Sequence, residues 1–255
     1  MSETIPVGSL RGSAAFRLLS WPSFDEALAG GRLRDLRLLG VDALVLGGPH
    51  LVGSMRILGK GHVGVVVAVQ AGDVKAALKV RRTDADRASL RGEAELLGLA
   101  NGVLVGPGLL GCTDDLLLME LVNGPYLGDW IDGLEPSDGD KLRAVLRALL
   151  LDARRLDGVG LDHGELVRVR RHIIVAGGVP RIIDFESAST GRRAANVTTV
   201  VQSLFLNQGT SARLGRLIVL PDREPLLAAL RGYKAGMSDA GFAEILRVLG
   251  LSQPF

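Results

Sequence analysis

The sequence predicts an α+β protein of two lobes, a small antiparallel β-sheet lobe with one helix and a mainly helical lobe. Three observations lead there. Between Met55 and Val80, β-branched and apolar runs alternate with glycine turns, which is strand patterning. From Leu142 to Ala153, apolar residues return every third or fourth position, as on one face of a helix. Asn123-Gly124-Pro125 separates the two patterns as a hinge.

The elements follow in order. Phe24 to Leu39 has helical spacing (Leu28, Leu33, Leu36, Leu39), weakened by Gly30 and Gly31. Met55–Leu58, Val63–Val69 and Val74–Val80 read as strands, the last two joined by an Ala71-Gly72-Asp73 turn. A helix is expected around Asp84 to Ala100 and a buried strand from Leu116 to Val122. Ser137 with Asp140 forms a capping-box pattern ahead of the long helix. Ile173-Ile174-Val175 and Arg181-Ile182-Ile183 flank a turn and read as a short hairpin. The chain from Asn196 onward is helical in pattern. Residues 1–50 are thus a helical extension packed on the small lobe, 51–122 the small lobe and 123–255 the helical lobe.

Composition excludes several classes. With 255 residues, 47% hydrophobic and 23% charged, the chain can bury a sizeable core and is not disordered. A lone cysteine, Cys112, excludes a disulfide framework and a cysteine-built metal site. The formal charge of +2 does not announce nucleic acid. The uncharged run Leu96–Thr113 is broken by glycines and Pro107, and Ala194–Ala212 carries Asn and Gln, so neither reads as a membrane span. The first residues lack a secretory pattern, and a cytoplasmic location is expected.

Gly59-Lys60-Gly61-His62-Val63-Gly64-Val65-Val66 spells G-x-G-x-x-G-x-V. A dinucleotide fingerprint needs a helix after its glycines, whereas these run into Val65–Val69, a strand. A glycine turn between strands can cover nucleotide phosphates with backbone N–H groups. In the next strand Ala77 and Lys79 share a face. A small residue there leaves room for adenine, and the lysine reaches phosphates. Lys79 lies in an apolar strand, and a buried ammonium needs a partner, for which Glu93 is preferred over Glu95.

On these residues the chain resembles the protein-kinase-like superfamily, and within it the small atypical branch of RIO kinases, the kinase of the archaeal KEOPS complex and related archaeal serine/threonine kinases. The resemblance runs from about Leu51 to Phe255. It implies that Gly59, Gly61, Gly64 and Val66 belong to the phosphate loop, that Ala77 lies by adenine, and that Lys79 pairs with Glu93. Leu118-Met119-Glu120-Leu121-Val122 resembles the segment entering the hinge, with Met119 as gatekeeper and the backbone of Glu120 and Val122 at the adenine edge. Asp184-Phe185-Glu186 stands at the place of D-F-G, which implies Mg²⁺ held by Asp184.

The catalytic loop departs from that pattern. His163-Gly164-Glu165-Leu166 stands where the family has H-G-D-L, which puts Glu165 in place of the catalytic aspartate, with Asp162 as the alternative base. His172 occupies the position of the metal-binding asparagine and follows Glu165 by seven positions rather than the usual five. Imidazole suits Mg²⁺ poorly, so His172 either touches a phosphate or favours Mn²⁺. His163 is read as structural.

About ten residues separate Glu186 from Asn196, too few for a regulated activation segment, and A-P-E is missing. A cluster of Arg168, Arg170, Arg171, Arg181, Arg192 and Arg193 suggests an anionic substrate or partner: a phosphorylated molecule, an acidic peptide or RNA. Without interleaved aromatics, sequence-specific RNA reading is disfavoured. The expectation is an ATP-dependent phosphotransferase acting on a serine or threonine hydroxyl. Its alternatives are a small-molecule kinase and a nucleotide-binding pseudokinase that serves as a partner protein.

Overall fold

The structure, a computed structural model, describes residues 3–252. The chain divides into two compact units, one made of the chain up to Gly98 with Pro107–Leu121, the other of Leu99–Gly106 with the chain from Val122 on.

The first unit holds strands β1 (Glu3–Pro6), β2 (Ala43–Leu46), β3 (His50–Val52), β4 (Met55–Ile57), β5 (Gly59–Lys60), β6 (Gly64–Ala71), β7 (Val74–Arg81), β8 (Leu109–Cys112) and β9 (Leu116–Glu120), with helix α1 (Glu26–Leu38) and the start of α2 (Arg91–Gly102). The main sheet runs β1-β2-β6-β7-β9-β8, with β5 paired to β6, and its pairings are antiparallel. β3 and β4 form a separate hairpin.

Strand alternation gives this sheet two different faces. Val65, Val67, Val69, Ala76, Leu78, Val80, Leu116 and Leu118 point into one hydrophobic core together with residues from Ile5 to Leu46. In the β6–β7–β9 register, Val66 pairs with Lys79 and Lys79 with Leu117, while Ala77 pairs with Ala68 and Met119. These residues share the opposite face. Leu117 packs there with Val63, Leu90 and Ala94 of the α2 region.

The first 50 residues are not the helical extension that their pattern suggests. They supply α1 but also β1 and β2, which lengthen the sheet, and two 3₁₀ segments. Each strand is four residues long, too short for periodicity to reveal. The helix expected from Asp84 begins only at Arg91. Asp84 is held in a bidentate pair with Arg82, and Ser89 Oγ accepts the N–H of Arg91 as a cap.

Arg32 fixes the N-terminal segment to the sheet. It is 1% exposed, donates to the carbonyls of Leu19 (2.6 Å) and Arg81 (2.7 Å), and pairs with Asp115 at 2.9 Å. Burial alone would raise the Asp115 carboxyl, but the guanidinium groups of Arg32 and Arg81 outweigh it and hold it below the usual carboxylate range.

The second unit carries α3 (Leu127–Asp132), α4 (Gly139–Gly158), α5 (Val169–His172), the hairpin β10 (Ile173–Ala176) and β11 (Val179–Ile182), α6 (Asn196–Val201), α7 (Gln208–Leu214), α8 (Arg223–Gly236) and α9 (Asp239–Val248). A π-helical turn, Gln202–Leu206, follows α6 directly. The hairpin turns on Gly177 and Gly178 alone, both at positive φ. The capping box lies two residues earlier than expected, between Glu135 and Asp138, because a 3₁₀ turn at Pro136–Asp138 precedes α4.

Buried Asp157, near the end of α4, is the hub of this unit. It accepts from the N–H groups of Asn196 (2.8 Å) and Val197 (3.2 Å), from Asn196 Nδ2 (2.9 Å) and from the Tyr233 hydroxyl (2.8 Å). One carboxylate thereby caps α6 and ties α4 to α8. Burial first, then the Asp157 charge, pushes the Tyr233 phenol well above its ordinary pKa.

Replacing Arg32 removes a buried cation and leaves two carbonyls and Asp115 short of a donor. Arg32→Ala is expected to lower unfolding free energy by about 3–5 kcal/mol in urea titrations. Arg81→Ala, whose side chain is partly exposed, is expected to cost clearly less. Equal effects would contradict the anchoring role.

Candidate functional site

The first unit brings together the glycine turn, Lys79 and Glu93. Lys79 Nζ stands 2.8 and 2.9 Å from the two carboxylate oxygens of Glu93, and both residues are under 5% exposed. Glu95, the competing choice, is exposed. The turn Gly61–Gly64 is closed by a 2.8 Å hydrogen bond from Gly61 N–H to the Gly64 carbonyl. Arg82 donates to the Gly61 carbonyl at 3.0 Å. No helix follows these glycines, which enter β6. Gly64 is sterically required: a Cβ there would stand 2.8 Å from Lys79 Cγ and 2.9 Å from the Val80 carbonyl oxygen. Gly59 would meet only ordinary contact with Val66.

Met119 and Ala77 are direct cross-strand partners on the Lys79 face. The N–H of Glu120, in the segment expected to enter the hinge, donates to the Gly108 carbonyl (2.8 Å). Its carboxylate accepts from the Gly108 N–H at 3.0 Å. Val122 belongs to the second unit.

The second unit gathers Glu165, His172 and Asp184. His172 lies between the carboxylates, with Nε2 at 3.9 Å from Glu165 Oε2 and Nδ1 at 3.9 Å from Asp184 Oδ2. Both distances are too long for hydrogen bonds, and His172 Nδ1 is buried without such a partner among the described residues. The carboxylates of Glu165 and Asp184 stay accessible, at 31% and 37% side-chain exposure. Asp184 has φ +68°, in the left-handed region, which costs a non-glycine residue about 1–2 kcal/mol. Burial, followed by the charges of Asp184 and Asp129, raises the nearby Tyr126 phenol.

Asp162 is engaged elsewhere. Arg192 Nε donates to it at 2.8 Å, and its backbone bridges to Ser189. Glu165 instead accepts from the Ser187 hydroxyl at 3.2 Å, with Arg168 at 3.4 Å. Ser187 was not singled out by sequence, since a lone serine after D-F-E carries no pattern. Gly164, at φ +83°, lets this loop approach: a Cβ would lie 2.5 Å from the Ser187 carbonyl oxygen.

His163 is structural, as its sequence context suggests. Its ring is buried against Phe185 with centroids 4.9 Å apart. Nδ1 accepts the Glu165 N–H (3.3 Å), so the ring proton sits on Nε2 and donates to the Ile183 carbonyl (3.0 Å). Asn196 Oδ1 accepts the His163 N–H at 2.9 Å, which links this loop to the Asp157 hub.

The arginine cluster does not hold together. Arg192 serves Asp162 and the Ser187 carbonyl, Arg193 donates to the Lys234 carbonyl, and Arg181 to that of Gly106. Neighbours in sequence here leave a loop and a hairpin in different directions, and three guanidinium groups became internal ties.

Among the described residues no group of three His, Cys, Asp or Glu side chains is arranged to hold a metal by itself. A divalent cation that binds through one or two carboxylates plus phosphate oxygens needs no such cage, and accessible Asp184 fits that use. The imidazole Nδ1 of His172 beside it fits Mn²⁺ better than Mg²⁺. No helix among the described residues is long and apolar enough to cross a membrane. No protein-family model and no curated protein matches the chain.

Burial lowers the His163 pKa to about 4, the Ile183 hydrogen bond opposes this, and the His172 charge adds to it. Asp184 and Asp162 pull weakly upward. The unfolded chain therefore binds a proton near pH 6.5 that the folded chain refuses until about pH 4. Stability is expected to fall as pH drops through that window, by up to roughly 3 kcal/mol, and to lose nothing on this account above pH 7. Urea titrations of wild type and His163→Gln between pH 4.5 and 7.5 check this, because the variant should show a flatter slope. At Asp184, substitution by Gly is expected to leave the protein about 1 kcal/mol more stable than substitution by Ala, since only Gly relieves the positive φ.

Proposed function

We propose that the protein is an ATP-dependent phosphotransferase with an atypical protein-kinase-like fold, acting on a hydroxyl acceptor. The observation that carries this reading is the buried Lys79–Glu93 pair beside a glycine turn whose Gly64 cannot bear a side chain without displacing Lys79. A buried ammonium pinned by both oxygens of a carboxylate is a fixed positive charge for phosphate oxygens, and phosphoryl transfer depends chiefly on positioning and electrostatic stabilisation. Glycine N–H groups add donors without side-chain bulk.

In this reading Asp184 holds the divalent cation, which would neutralise charge between the phosphates of ATP. Glu165 orients the acceptor hydroxyl and takes its proton. The acceptor oxygen bonds to the γ-phosphorus, the bond to the β,γ-bridging oxygen breaks, and ADP leaves. Glutamate does this in place of aspartate because Ser187 fixes one of its oxygens, while Asp162 is neutralised by Arg192. Serine and threonine side chains are the proposed acceptors. A small-molecule acceptor is the second reading, favoured by the short stretch between Glu186 and α6, which contains no helix or strand.

At a hundredfold excess over Kd, Mg²⁺- or Mn²⁺-ATP should stabilise the protein by about 2.7 kcal/mol in thermal melts. Lys79→Ala should remove transfer of labelled phosphate. Glu165→Ala should lower its rate about 10²–10⁴-fold while the melting shift persists. Labelled protein supports the first reading, a labelled metabolite the second, and nucleotide binding without transfer a pseudokinase. A melting curve that no nucleotide moves rejects the proposal.

A further inference from the structure

Arg168, Arg170 and Arg171, the three arginines without internal carbonyl ties, line one cavity of about 290 Å³ in the second unit. Ser203, Asn207 and Thr210 complete its polar wall. The cavity begins one side chain away from Glu165, because Arg168, which lines it, also lies 3.4 Å from Glu165 Oε2.

We propose that this cavity binds the phosphate group of a small, phosphorylated acceptor molecule, whose hydroxyl is then presented to Glu165. The inference rests on the second, small-molecule reading of the phosphotransferase proposal for its role and on the cavity itself for its ligand. Three observations support the ligand class.

The first is charge. Asp132 is shared by Arg170 at 2.8 Å and by Arg213, and Glu165 is the carboxylate nearest Arg168. Arg171 is exposed and makes no ion pair among the described residues. Three guanidinium groups, counting Arg213 behind the wall, thus share two carboxylates, and Arg171 has none. The surplus of two positive charges matches a phosphate monoester, which carries about −1.5 to −2 at neutral pH and offers three acceptor oxygens. A single carboxylate would leave part of that surplus unmet.

The second is the way the wall is built. Gly128 on α3 gives room to Arg170, since a Cβ there would lie 2.8 Å from Arg170 Nε. That Nε is buried and has no hydrogen-bond partner among the described residues. Ser203 belongs to the π-helical turn Gln202–Leu206, closed by Asn207 N–H on the Gln202 carbonyl at 3.0 Å. The Ser203 hydroxyl donates to the Val167 carbonyl at 2.8 Å, which ties the turn to the arginine segment. Such turns are found frequently at functional sites.

The third is size. A volume of about 290 Å³ falls just below the ~300–1,000 Å³ range of small-molecule pockets. It suits a compact phosphate ester.

The test uses the full chain and two probes, inorganic phosphate and glycerol 3-phosphate, in isothermal titrations. Both are expected to bind wild type, whereas glycerol is not. Arg171→Glu, at an exposed position that leaves the fold intact, should weaken both probes at least tenfold, and Arg171→Lys should weaken them less because charge survives without the bidentate fork. Lys79→Ala should leave phosphate affinity within twofold, and Arg171→Glu should keep the ATP-dependent melting shift of wild type. Unchanged phosphate binding in Arg171→Glu, or its loss in Lys79→Ala, would place the ligand elsewhere and overturn the proposal. A phosphoserine peptide binding tenfold tighter than glycerol 3-phosphate would overturn the small-molecule assignment. If phosphate binds as expected but ATP gives no melting shift, the anion site stands and the phosphotransferase reading fails on its own.

Discussion

A charge taken out of water must meet partners at fixed positions, and this constraint organises each unit of the protein. In the first unit two buried cations obey it differently. Lys79 meets one carboxylate with both oxygens, while Arg32 meets two backbone carbonyls and shares Asp115 with Arg81. In the second unit Asp157 meets four donors drawn from Asn196, Val197 and Tyr233. Hydrophobic burial drives the collapse of each unit by itself, but it is indifferent to register. The buried charges are not. Arg32 accepts only one seating of α1 against the end of β7, and Asp157 only one start for α6.

That distinction explains what was legible in the sequence. Apolar alternation and helical stripes revealed β6, β7, β9, the hairpin, α4 and the later helices, because each pattern lies within one local window. Lys79 and Glu93 were legible because an ammonium in an apolar strand advertises its need for a carboxylate. The strand additions β1 and β2 were not, since four-residue strands hold barely two alternations. Nor was Arg32, one of 25 arginines, or the Asp157–Asn196 pair, whose members stand 39 positions apart. A long-range polar contact leaves no period in the chain. The arginine cluster divided for the converse reason: Arg168, Arg170 and Arg171 stay together, while closeness in sequence says nothing of direction for Arg181, Arg192 and Arg193 once a loop and a hairpin intervene.

The three acidic residues around His163 show how environment gives one functional group different partners. Asp162 is paired to Arg192 and lies in a backbone bridge with Ser189, which neutralises and encloses it. Glu165 keeps an accessible carboxylate, with one oxygen accepting from the Ser187 hydroxyl and the other 3.4 Å from Arg168, a longer pair than the 2.8 Å one at Asp162. Asp184 is held in a strained backbone conformation with its carboxylate accessible. His163 underlies all three without competing for their charge. Burial keeps its ring neutral, its Nδ1 holds the Glu165 backbone, and its Nε2 holds the Ile183 carbonyl next to Asp184. A charged imidazole could not accept the Glu165 N–H, so neutrality is what allows one ring to position both segments.

Absence of side chains matters as much as their presence. At Gly64 a methyl group would collide with the Lys79 stem, at Gly164 with the Ser187 carbonyl, and at Gly124 with the Val175 carbonyl at 2.2 Å. These contacts are of different kinds. Gly64 protects the position of a charge, Gly164 combines a positive φ with close backbone approach, and Gly124 lets the hairpin lie against the chain entering α3, where Val175 N–H donates to the Pro125 carbonyl. By contrast Gly59 tolerates a Cβ at ordinary van der Waals distance. The first and third glycines of G-x-G-x-x-G are therefore unequal. The spelling of the motif treats them alike, but only Gly64 is demanded by what lies beneath it, and what lies beneath it is the lysine on which the proposed chemistry rests.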